Sequence, residues 1–168
     1  MVELVWLIPA LPLLGFVVLL VAGKLLVEPR SGWIATTAAG ASFLMTLVVF
    51  VGLLSRDSHS GERSYELVLF EWLPAGSLHV EAGFLVDPLS VTMALFVSGV
   101  GALIHLYSIG YMHGDPKYSK FFLYLNLFLF SMLVLVFGNN LVVTFLGWEG
   151  VGACSYLLIS FWHHRESA

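Results

Sequence analysis

The 168 residues are 59% hydrophobic and only 11% charged, with a formal net charge of −4. A soluble domain carries about 25% charged residues, so this composition excludes an ordinary soluble surface. No basic patch points to nucleic acid, and the single Cys154 excludes an internal disulfide and argues against a metal–thiolate site.

The chain opens on an apolar run whose only early charge is Glu3. No basic region precedes that run, and no small-residue cleavage site stands before Lys24, so it reads as a retained span and not as a signal peptide. About 20 apolar residues are needed to cross the hydrocarbon core. Five stretches meet that length: residues 4–26, 33–54, 88–110, 121–137 and 141–162. The second has no charged residue, the third has His105 as its only side chain that titrates near neutrality, and the fifth contains Glu149. Residues 28–32 make a tight connection after the first span, and Gly138-Asn139-Asn140 makes a short turn before the fifth. Between the third and fourth, Asp115-Pro116 signals a turn, and Lys117 and Lys120 are placed to snorkel at the helix end.

The one long connection, 55–87, has its own periodicity. Residues 65–73 and 78–86 are rich in β-branched, aromatic and leucine side chains, with Pro74-Ala75-Gly76-Ser77 between them. In the second arm Val80, Ala82 and Phe84 alternate with His79, Glu81 and Gly83, which is strand periodicity. The expectation is a β-hairpin lying over the helix ends, with Asp87 then capping the third helix and Pro88 at its first position. The fold class is therefore an all-α membrane protein of about five transmembrane helices, with a small external hairpin between helices 2 and 3.

Orientation is read from lysine and arginine. Lys24, Arg30, Lys117, Lys120 and Arg165 gather on one side, against Arg56 and Arg63 on the other. The first side is assigned to the cytoplasm, which puts the N-terminus and the hairpin outside and the C-terminal end inside. The abrupt stop after Arg165-Glu166-Ser167-Ala168 suggests a piece of a longer chain.

Glu149 is the sharpest candidate for chemistry. Between Lys120 and Arg165 it is the only formally charged residue. Lying eight residues into its span, it sits about 12 Å from the external end at 1.5 Å per residue. An acid at that depth costs on the order of 2–3 kcal/mol to insert and marks a functional site by default. Burial disfavours the charged form of a carboxyl and a nearby cation favours it, so such a group is switched by moving its partner. The plainer alternative is a hydrogen-bonded acid that ties two helices together.

The surrounding Gly147, Gly150 and Gly152 let another backbone approach. Tyr156, two turns on, is either a donor to Glu149 or a packed aromatic. Gly150-Val151-Gly152 is no nucleotide fingerprint, because no strand precedes it. His105 is a second candidate for proton handling, since imidazole titrates near neutrality; a hydrogen-bonded interior histidine is its plainer reading. His163, His164 and Glu166 cluster at the inner interface, where solvation accounts for them better than a metal.

The run Gly147-Trp148-Glu149-Gly150-Val151-Gly152, continued by Ala153-Cys154-Ser155-Tyr156-Leu157-Leu158-Ile159, resembles a known family. So do Gly99-Val100-Gly101-Ala102-Leu103-Ile104-His105, the run from Gly110 to Phe122, and Asp87-Pro88-Leu89-Ser90. The resemblance is to the N-terminal part of subunit L of bacterial NADH-quinone oxidoreductase, respiratory complex I, whose mitochondrial counterpart is subunit five. It implies a proton-translocating, non-redox subunit of the membrane arm in a bacterial inner membrane. NADH, flavin, iron–sulfur clusters and quinone would then belong to partner subunits, with no cofactor in this chain. Its partners would be the other membrane-arm subunits, the lipid bilayer and protons, and no nucleic acid. It also implies that Glu149 is the functional acid and acts with a lysine on a later helix, beyond these residues. A subunit of a multi-subunit cation/proton antiporter, or a membrane scaffold with a structural Glu149, are the alternatives.

Overall fold

The computed structural model describes residues 2–23, 25–26, 28–55, 64–75 and 78–162. A 3-10 turn, Val2–Trp6, leads into α1 (Leu7–Ala22), followed by α2 (Arg30–Leu54). Strands β1 (Tyr65–Ala75) and β2 (Leu78–Val86) come next, then α3 (Pro88–Tyr111), α4 (Tyr118–Phe137) and α5 (Leu141–Ile159). A final 3-10 turn, Ser160–Trp162, extends α5. Among the described residues, five helical stretches are long and apolar enough to cross a membrane.

The boundaries differ from expectation in an instructive way. Helix α1 stops at Ala22, and α2 begins at Arg30 and not at residue 33. Helix α4 begins three residues early, at Tyr118. The polar Tyr118-Ser119-Lys120 reads as loop, yet it forms the first turn of a helix with partners. Ser119 Oγ lies 3.0 Å from the Leu26 carbonyl, to which it can donate, and 2.8 Å from Ser31 Oγ. Tyr118 is buried against Gly32, where even a Cβ would meet its hydroxyl oxygen.

Small residues set how the helices meet. The buried stripe of α2 runs Gly32, Ala35, Ala39, Ser42, Thr46, Val49, Leu53, at alternating spacings of three and four. Without a hydrophobic drive inside lipid, such stripes associate helices by close approach and by hydrogen bonds between them. Ser42 Oγ donates to the Ile8 carbonyl of α1 at 2.6 Å. Helix α4 buries larger side chains at a helical period: Tyr118, Phe122, Asn126, Leu129, Leu133 and Phe137. Helix α1 packs on α2 and α4, α2 on α3, and α4 on both α3 and α5.

The hairpin is antiparallel, with Tyr65 opposite Val86 and Pro74 opposite His79. The first strand runs two residues further than expected, through Pro74 and Ala75. Register shifts between Val68 and Phe70 and between Glu71 and Leu73 each leave an extra residue on β1, which bends it. The inward positions of β2, Ala82, Phe84 and Val86, are buried, while Glu81 is exposed. Phe84 and Val86 join the same core as Val91, Leu133 and Phe137, so the hairpin lies on the helix ends as its alternation implies. Asp87 caps α3 as expected: its carboxylate accepts from the Ser90 amide at 2.6 Å, and Ser90 Oγ accepts from the Asp87 amide at 2.9 Å. This is a reciprocal capping box.

Candidate functional site

Helix α5 carries Glu149, and its two ends are anchored in different ways. At the first end Asn140 is the N-cap, its side-chain oxygen accepting from the Val142 and Val143 amides at 3.0 and 3.1 Å. The same side chain donates through Nδ2 to the Glu81 carbonyl of β2 at 2.6 Å. Asn139 donates through its backbone to the Gly83 carbonyl and through Nδ2 to Glu66 Oε1 at 2.8 Å. The turn that launches α5 is thus stitched to both strands of the hairpin. At the other end Trp162 Nε1 donates to Asp115 Oδ2 at 2.9 Å, and Phe161 is buried among Phe121 and Tyr124.

Between these anchors α5 lies on α4 through glycines. A Cβ on Gly147 would stand 2.5 Å from the Leu135 backbone nitrogen, and one on Gly150 would stand 2.5 Å from Ser131 Oγ. Real Cβ atoms do not come so close, so glycine is what permits this separation. The covered side of α5 is Val143, Gly147, Gly150 and Cys154. Glu149 lies on the other side. It is exposed, together with Phe145, Gly152, Ala153 and Tyr156. A Cβ on Gly152 would meet nothing within 4 Å among the described residues. Among the described residues the Glu149 side chain has no hydrogen bond and no ion pair.

The acid that the sequence singles out is therefore turned away from the other four helices, beside an open small residue. Tyr156 shares that face, but no hydrogen bond links it to Glu149; seven residues of helix separate them by about 10 Å along the axis.

His105 stands elsewhere. It is 98% buried in α3, with its ring 6.4 Å from that of Phe122 on α4. Its Nδ1 lies 2.7 Å from the Gly101 carbonyl. A carbonyl only accepts, so Nδ1 carries the proton of that bond. Nε2 is buried without a protein partner among the described residues. No hydrogen bond joins His105 to Glu149, so the two candidates do not form one cluster. His163, His164 and Glu166 lie outside the described residues, and within these no group of three metal-ligating side chains occurs.

Sequence reading missed other polar groups inside the helices. Asn126 is fully buried; its Nδ2 donates to the Phe122 carbonyl and its Oδ1 has no partner among the described residues. The signal was available, since Asn126 is the only carboxamide within α4. Ser131, which Gly150 accommodates, donates back to the Leu127 carbonyl at 2.8 Å.

Comparison with known proteins gives a consistent result. Residues 72–122, spanning the end of β1, all of β2 and α3, and the start of α4, match the family described as the N-terminus of chain 5 of NADH-ubiquinone oxidoreductase, complex I. NADH-quinone oxidoreductase subunit L of Mycobacterium tuberculosis is 47% identical over 166 residues, covering 97% of this chain and 25% of that protein. The subunit L of Escherichia coli is 42% identical over 153 residues, 91% of this chain and 24% of the relative. NADH-ubiquinone oxidoreductase chain 5 of Allomyces macrogynus is 40% identical over 158 residues, 94% of this chain and 24% of the relative. The chain spans about a quarter of the length of these relatives. On sequence and the matched region together, the chain is similar to the N-terminal quarter of NADH-quinone oxidoreductase subunit L and its chain 5 counterparts.

Proposed function

We propose that this chain forms the N-terminal part of a proton-translocating, membrane-arm subunit of an NADH-quinone oxidoreductase, with Glu149 as its proton-carrying acid. The observation that carries the reading is the position of that acid: within the apolar helix α5, on the face the other four helices leave uncovered. A carboxyl gives up its proton more readily as a cation approaches and takes one back as the cation withdraws. The exposed face of α5 leaves room for such a cation on a helix outside these residues, and the bare Gly152 one turn on lets that helix come close. His105 is a second proton-handling candidate, supported by an Nε2 free of protein partners among the described residues.

The electron carriers and the quinone belong, in this reading, to partner subunits, and this chain does no redox chemistry. The lysine and arginine distribution supports a cytoplasmic side holding the α3–α4 connection and an outer side holding the hairpin. The respiratory reading is preferred to the antiporter one because the matched relatives are named as NADH-quinone or NADH-ubiquinone oxidoreductase subunits.

The test is Glu149→Gln and Glu149→Asp in the complete complex, with protons moved per electron measured in sealed vesicles. Glutamine keeps the shape and removes the titration; it is expected to lower the proton yield while the complex still assembles. Aspartate is expected to retain part of it. Unchanged proton yield in an assembled glutamine variant would leave Glu149 a structural residue.

A further inference from the structure

Three buried polar atoms inside the bundle have no protein partner among the described residues: His105 Nε2, Tyr118 Oη and Asn126 Oδ1. Each of these residues is at most 3% exposed. Tyr118, Phe122 and Asn126 follow one another at spacings of four along α4, so they share one buried face. His105 abuts the middle of that face, its ring 6.4 Å from the Phe122 ring, and the Tyr118 ring is 4.9 Å from the same phenyl. Asn126 Nδ2 donates to the Phe122 carbonyl. The three residues thus gather around Phe122, in the half of the bundle where α4 begins. Glycines of neighbouring helices face two of the three atoms and offer them no side-chain partner. A Cβ on Gly32 would collide with Tyr118 Oη, and one on Gly15 would stand 3.0 Å from Asn126 Oδ1. Tyr118 borders a depression of about 630 Å³ where α1 ends, and His105 borders a second, of about 260 Å³, between α3 and α4. A single water needs only about 10–15 Å³ of such space.

We propose that these three groups bind internal water. Hydrogen-bond chemistry selects the occupant. Nδ1 of His105 carries the proton given to the Gly101 carbonyl, which leaves Nε2 an acceptor, and the Asn126 carboxamide oxygen is another. The Tyr118 hydroxyl can donate and accept. Water brings two donors and an acceptor, so it satisfies this set without adding charge. Buried water in proteins bonds about three otherwise unsatisfied groups in just this way. None of the three side chains carries the negative charge that would hold a cation. Bound water would also give His105 an exchange partner for its proton; that consequence rests on the proton-translocating reading, and the water site does not.

The experiment is an electron cryo-microscopy map of the complete complex, at a resolution that shows ordered water, for the wild type and Tyr118→Phe. Density is expected within hydrogen-bond reach of His105 Nε2, Tyr118 Oη and Asn126 Oδ1, and the density beside residue 118 should be lost in the variant. Thermal unfolding gives a second reading. A buried hydroxyl with no partner costs stability, so deleting it would raise the unfolding temperature; a hydroxyl bonded to water stabilises, so Tyr118→Phe should lower it. Tyr107→Phe, which removes an exposed hydroxyl of α3, should leave the temperature unchanged. Three results would overturn the proposal: a wild-type map lacking water at even one of the three atoms, an unfolding temperature unchanged or raised in Tyr118→Phe, or density whose strength follows added sodium or potassium. The wild-type map decides the question even if the variant fails to assemble. Proton yield is not the readout, so a failed Glu149 test would leave the water site standing.

Discussion

Gly147, Gly150 and Gly152 lie within two turns of one helix and meet different surroundings. Gly147 abuts the Leu135 backbone, Gly150 abuts the tip of the Ser131 side chain, and Gly152 meets nothing within 4 Å among the described residues. Backbone cannot move aside cheaply, whereas a serine hydroxyl has other rotamers. Alanine at Gly147 should therefore be the most disruptive, costing about 1–3 kcal/mol as an overpacked core does. Alanine at Gly150 should cost less, and alanine at Gly152 should leave the packing of α4 on α5 untouched. Thermal unfolding of the purified complex measures the order. A Gly152→Ala variant less stable than Gly147→Ala would mean that the separation of α4 and α5 is not set by these glycines. These distinctions were not legible in the sequence, where Gly147, Gly150 and Gly152 offer the same reading. What differs is which of them faces α4, and a helix apolar around nearly its whole circumference gives no periodic clue to that.

At the scale of elements, the hairpin and α5 are one mechanical unit. Asn140 caps α5 and reaches the β2 backbone, and Asn139 reaches both strands. Asn140→Ala removes the cap and the bond to the Glu81 carbonyl together, and a lost cap alone costs about 1 kcal/mol. Asn140→Asp keeps the capping oxygen and loses the donor, so its stability should fall between wild type and alanine. Equal stabilities for the two variants would assign the whole effect to the hairpin contact.

Much of this level was readable beforehand. The strand alternation at Val80, Ala82 and Phe84 and the Asp87-Pro88 start of α3 follow from side-chain period and cap chemistry. The helix ends were harder, because partners distant in sequence decide them: Ser119 pairs with Leu26 and Ser31, and Tyr118 with the space above Gly32. Gly138-Asn139-Asn140 read as a plain turn, since nothing local reveals that its asparagines reach residues more than fifty positions away.

At the scale of the whole molecule, α1 to α4 form a packed group and α5 leans on it by one side only. The small-residue stripe of α2 draws the group together, the hairpin and the Asp115–Trp162 bond hold α5 at both ends, and Glu149 is left on the outer face. Sequence alone located the acid within its apolar span. The structure adds its direction, which is away from every helix described here.

The central claim is that Glu149 changes protonation during turnover. Infrared difference spectroscopy of the complete complex in membranes, comparing resting and NADH-driven states, reads that change as a carboxyl carbonyl band. The account predicts a band in the wild type that is absent from the assembled Glu149→Gln variant. A turnover difference spectrum identical in the two would contradict it.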